Sequence, residues 1–239
     1  MEPLWHGITQ WLHTLGIHLD GRVASQVAPA AAEVAGRMDL PGLFALAAAL
    51  GWASGFRLYA VVFLVGAAGT AGWINLPPGL LVLQHPALLI ASGAMLLVEF
   101  FADKIPGVDS LWDLLQSVIR IPAGAALAAG ALGADGATTA TIAALMGGTL
   151  AATSQAAKTT TRAAINTSPE PFSNLLASLA EDGLVVGAVW LAATHPVVFC
   201  FVLLITVVLM GVVTVTLFKF LRAVLRRLSA LFSGYPKAV

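Results

Sequence analysis

Glu99 and Asp103 stand four residues apart in the stretch EFFADKIPGVDSLWD, and Asp109 and Asp113 repeat that spacing. Carboxylates four apart share one helix face, an arrangement able to coordinate a cation or relay a proton. Glu181 and Asp182 form a second acidic pair in SLAED, and Gln155, Lys158 and Arg162 follow spacings of three and four that make one polar stripe. Arg57 sits in GFRLY within an apolar run. Hard cations take several oxygen ligands, and Glu99, Asp103, Glu181, Asp182 and Asn174 can supply them. Arg57, Lys158 and Arg162 would set the charge state of those carboxylates or bind an anionic group. Part of the cluster has a plainer role: Asp109 complements a helix N-terminus, and Ser110 with Asp113 fits a capping box. Asp109, Ser110, Asp113 and Ser178 are therefore expected to cap helices or to support the site from behind.

The elements that must hold these groups belong to a membrane protein. Hydrophobic residues make up 59% of the 239-residue chain and charged residues only 10%, with a mean hydropathy of +0.90. That composition lacks the polar exterior a soluble core of this length needs. The apolar runs match the roughly 20 residues that cross a bilayer. They predict an all-α membrane protein with six spans, at about 42–68, 86–103, 114–133, 138–160, 175–194 and 196–220. The zero net charge points to no nucleic-acid partner. The lone Cys200 lies in an apolar run, so no disulfide framework is expected.

Arg57 falls near the middle of the first span, where a lone charge costs on the order of 2.5–3.5 kcal/mol. It should face the bundle interior, with acidic residues of the second and fifth spans as partners. Gly51 and Gly55 beside it suit a tightly packed or interrupted helix. Connections after the first, third and fifth spans contain no Lys or Arg. The opposite ends hold Arg22, Arg37, Lys104, Arg120, Lys158 and Arg162, and the C-terminal end Lys219, Arg222, Arg226, Arg227 and Lys237. Basic residues mark the cytoplasmic side, which places both termini in the cytoplasm. Three spans per half is also the arithmetic of an inverted repeat, with loops broken near Pro106 and Pro169.

Outside the spans, residues 1–40 read as an interfacial amphipathic helix and linker: Leu4, Ile8, Trp11, Leu12, Leu15 and Leu19 recur at helical spacing. With acidic Glu2 and no cleavable apolar core, this is not a secretory signal. The membrane domain covers 41–225, and 226–239 is a basic tail.

Three long motifs then bring a family into view. GFRLYAVVFLVGAAG, VEFFADKIPGVDSLWD, and INTSPEPFSN followed by SLAED resemble an uncharacterised bacterial integral-membrane family, domain-of-unknown-function family 4126, over residues 42–220. The resemblance implies a multi-pass protein of the bacterial inner membrane. It names no substrate and no catalytic residue. Enzyme signatures are incomplete: IPGVDS is similar to the phosphate loop of undecaprenyl-pyrophosphate phosphatases, but no Arg follows Ser110. The D-x-x-x-D of Asp109 and Asp113 lacks the upstream part of the CDP-alcohol phosphotransferase signature. The expected function is a small transporter or channel-like permease with a cytoplasm-facing charged cavity, handling a cation or protons. It would need no cofactor beyond a bound cation of unknown identity. Its partners would be membrane lipids, the transported solute or ion, and a second copy of the chain in a homo-oligomer. A membrane-embedded lipid-phosphate-handling protein, or an accessory membrane protein with a buried ion-pair network, are the alternatives.

Overall fold

The computed structural model describes residues 40–103, 105, 108–133, 136–167 and 171–233. The expected interfacial helix before Leu40, together with Lys104, Pro106, Pro169 and the last residues of the tail, lies outside that set, as does the side chain of Ser110. No strand occurs among the described residues. The helices are α1 (Leu40–Thr70), α2 (Pro86–Ala102), α3 (Val108–Leu132), α4 (Ala137–Ile165), α5 (Pro171–Thr194) and α6 (Pro196–Ser233), with a short 3-10 helix, Pro78–Gln84, ahead of α2. They fall where the apolar runs place them. Pro86, Pro171 and Pro196 each open a helix, the position where a missing N–H costs nothing.

Four helices are long and apolar enough to cross a membrane: α1, α3 from Leu111, α5 from Phe172, and α6 as far as Arg227. The 3-10 helix and α2 are bent by 69° and make a fifth if they form one broken span. The sequence PPGLLVLQ, expected as plain connection, is therefore structured; its Leu80 and Leu83 are buried. Helix α4 is not among the four, although it has 29 residues. Its apolar content is mostly Ala, and its Gln155, Lys158 and Arg162 are buried, so its polarity faces the protein.

Helix α1 is the axis of the bundle: 78% of its apolar window is buried, against 11% for α6. A helix apolar all round belongs inside, and α1 is packed on all sides with Ala, Leu and Gly. Small residues let three backbones converge there. A Cβ built on Gly51 would lie 2.5 Å from Gly147 Cα, and one on Gly124 would lie 2.4 Å from Ser54 Oγ. That seam joins α1, α3 and α4. Large apolar side chains instead cover the outside, including Phe201, Leu204, Ile205, Val208 and Val212 of α6. Such a surface suits lipid and not water.

Candidate functional site

Helix α1 breaks at Arg57, whose φ of −146° and ψ of 79° are non-helical. A break at membrane depth must have its freed backbone groups satisfied by neighbours. Helix α4 does this: Lys158 Nζ donates to Phe56 O at 3.1 Å, and Ser154 Oγ donates to Trp52 O at 2.7 Å. The break turns Arg57, fully buried, toward α2 and α5. It lies 2.9 Å from Asp103 Oδ2 and 2.8 Å from Asp182 Oδ1, with Glu181 Oε2 at 3.9 Å. Its Nη2 also donates to Ser178 Oγ at 2.6 Å.

Lys158 is the hub of the cluster. Its Nζ lies 3.1 Å from Asp113 Oδ1, 3.2 Å from Glu181 Oε2 and 3.6 Å from Asp103 Oδ2. One turn along α4, Arg162 approaches both Glu181 Oε1 at 3.1 Å and Asp103 Oδ2 at 3.7 Å, and donates to Asn174 O at 3.1 Å. In the other direction Gln155 Oε1 accepts from Arg120 Nη1 at 2.9 Å. Arg120 pairs with Glu99 of α2 and lies 3.0 Å from Asp113 Oδ1. At the helix ends Asn166 Nδ2 donates to both oxygens of Asp109, at 3.0 and 3.1 Å, and Asn174 Nδ2 donates to Asn166 Oδ1 at 2.8 Å. From Gln155 to Asn166 this column runs about 16 Å at 1.5 Å per residue, about half the thickness of a bilayer core.

Glu99, Asp103, Glu181, Asp182, Arg57, Lys158, Arg162 and Asn174 thus meet in one cluster. They contact each other closely: Arg57, Glu99 and Asp103 are wholly buried, only Asp182 is appreciably exposed, and Lys158 and Glu181 also border a groove between α4, α5 and α6. Of the four residues expected to cap or support, Asp113 has another place. Its side chain joins the cluster through Arg120 and Lys158, because it lies far enough into α3 to face inward. Asp109 stands in the first turn of α3 and is held by Asn166. Ser178 lies inside α5 and accepts from Arg57. Sequence reasoning left Arg120 out, reading it as an orientation marker. The missed signal was spacing: Arg120 is seven residues from Asp113, two turns along the same face. Asn166 was likewise passed over.

Carboxylates and cations alternate throughout. Among the described residues, Arg57, Arg120, Lys158 and Arg162 face Glu99, Asp103, Asp113, Glu181 and Asp182, one carboxylate more than the cations. Glu99 Oε2, Asp103 Oδ1 and Asp113 Oδ2 are buried without a hydrogen-bond partner. No group of three or more His, Cys, Asp or Glu side chains among the described residues is arranged to hold a metal ion. The interposed guanidinium and ammonium groups account for that.

A family model described as a domain of unknown function (DUF4126) matches residues 44–216. No curated protein matches the chain, and no solved structure does.

Proposed function

The chain belongs to the DUF4126 family, and from that premise we propose that it is a small membrane permease that carries protons through its buried charge cluster. The observation that supports this reading is the excess of carboxylates over cations among the described residues of the cluster, together with three buried carboxylate oxygens, Glu99 Oε2, Asp103 Oδ1 and Asp113 Oδ2, that have neither a hydrogen bond nor an ion pair. A proton on any of them converts an unpartnered acceptor into a donor and balances the charge of the described residues of the cluster. Intramembrane carboxylates in chains are the usual means of proton relay. Lys158, bridging Asp113, Asp103 and Glu181, is placed to pass charge between α2, α3 and α5. A hard cation is the weaker candidate, because each carboxylate already faces a fixed positive charge.

In this reading all six helices cross the membrane and both ends of the chain face the cytoplasm. Lys219, Arg222, Arg226 and Arg227 then mark the inner side, and the cluster lies in the half of the membrane nearest to it. The small-residue seam at Gly51, Gly124 and Gly147 closes the opposite half. An inverted three-plus-three arrangement would pair α1 with α4, the two helices that meet at Gly51 and Gly147. In liposomes containing a pH-sensitive dye, an imposed potential should drive proton entry through the wild type. Glu99→Gln and Glu181→Gln should abolish it per molecule of folded, reconstituted protein, whatever each substitution costs in stability. Flux no greater than in empty liposomes, or unaltered flux in both variants, would refute the relay.

A further inference from the structure

Helix α6 changes character along one face. Val197, Phe201, Leu204, Val208, Val212 and Val215 follow one another at spacings of three and four, and each is more than half exposed. The next three places on that face are Lys219, Arg222 and Arg226, all exposed. Helical period puts these three within about 60° of one another around the axis. It also sets them opposite Thr206, Leu209, Met210 and Val213, the residues by which α6 borders the groove with α4 and α5. The basic stripe therefore points away from the bundle, as the apolar stripe before it does.

Depth decides what the stripe meets. From Val197 to Val215 the apolar part runs about 27 Å, close to the ~30 Å thickness of a bilayer core. Val213 shares the groove with Thr161 of α4 and Ala177 of α5. Lys219, about 9 Å further along, comes level with Ile165 and Pro171, where α4 ends and α5 begins. The three cations thus stand at the headgroup layer. No Asp or Glu follows Asp182 in the chain, so no carboxylate side chain of α6 or the tail competes for them.

We propose that this face of α6 binds anionic phospholipid, with headgroup phosphates seated on Lys219, Arg222 and Arg226. Charge complementarity selects the occupant, since a basic cluster directly after a membrane helix attracts anionic lipid. Residues three and four apart lie about 5–6 Å from each other at Cβ, so neighbouring side chains can share one phosphate. The continuous stripe favours a lipid over a soluble anion. Acyl chains lie along Val208, Val212 and Val215 while the phosphate meets the cations, and a free phosphate would use only the second part. The inference goes beyond the proton reading and does not depend on it.

Phosphatidylglycerol and phosphatidylcholine with the same acyl chains differ in charge and test it. The full chain is taken from nanodiscs holding equal amounts of both into mild detergent, and the retained lipids are counted by mass spectrometry. The wild type should keep phosphatidylglycerol in excess. Lys219→Gln, Arg222→Gln and Arg226→Gln should each cut that excess by up to about fivefold, equivalent to about 1 kcal/mol per basic residue. Lys219→Arg should retain it. Arg227→Gln, about 100° round the helix from Arg226, should change it less. Inorganic phosphate should displace no more lipid than sodium chloride of the same ionic strength. Equal retention of the two lipids by the wild type, or an excess unchanged when all three residues are Gln, would overturn the proposal. So would a loss in Arg227→Gln as large as in Arg222→Gln, or displacement by phosphate beyond the chloride control.

Discussion

Arg120 shows what the individual charges contribute. It stands between Glu99 and Asp113, and all three are fully buried. Removing one partner of a buried pair leaves an uncompensated charge and typically costs about 3–5 kcal/mol. Arg120→Gln should therefore lower the unfolding temperature markedly in detergent. Adding Glu99→Gln should restore part of the loss, since Asp113 still has Lys158. A positive coupling of about 0.5–3 kcal/mol in that double-mutant cycle is expected. Simple additivity would show that the two side chains do not meet. The same residue marks where sequence reading stops. That Arg120 is basic and sits in an apolar helix is visible from the chain; that it faces α2 and not lipid depends on how α3 is rotated.

Among the helices, small residues determine which surfaces can meet. Gly147 of α4 has no room for a side chain: its added Cβ would lie 2.3 Å from Ala128 Cβ. Gly211 of α6 has nothing within 4 Å. Gly147→Val should therefore destabilise by about 1–3 kcal/mol or more, the usual cost of overpacking, while Gly211→Val should leave thermal stability near wild type. Equal effects at both positions would show that the α1–α3–α4 seam is loose. The abundance of Ala, Gly and Thr in α4 announces close approach, but not the helix approached. The break at Arg57 was suggested by its flanking glycines. The partners that make it tolerable, Lys158 and Ser154, lie about a hundred residues away in the chain.

For the molecule as a whole, the distribution of polarity is inverted: charges inside, apolar side chains outside. Helix α6 carries this furthest, with 38 residues that extend about 57 Å, well beyond a bilayer core of about 30 Å. Its last turns, with Lys219, Arg222, Arg226 and Arg227 exposed, would then emerge on the side of the charge cluster. In a Cys200→Ser background, Trp73→Cys should react with a membrane-impermeant maleimide added to intact cells. Trp73 is 83% exposed beyond the end of α1. Ala223→Cys should react only after permeabilisation. The reverse pattern would invert the proposed orientation.

By itself the sequence determined the helical membrane class, the positions of the helices and the segments bearing charge, because hydropathy and helical period are local properties read along one segment. It also pointed Arg57 inward, since a lone charge at that depth is costly wherever the other helices lie. Only the tertiary structure decided that Asp113 belongs to the cluster and not to a cap, and that Arg120 and Asn166 join it. It likewise decided that a polar α4 packs against the axis of the bundle, and that a groove between α4, α5 and α6 reaches Lys158 and Glu181. Each of these depends on which helices are neighbours and how each is rotated. Contacts between residues a hundred positions apart set that choice, and neither hydropathy nor spacing within one helix records them.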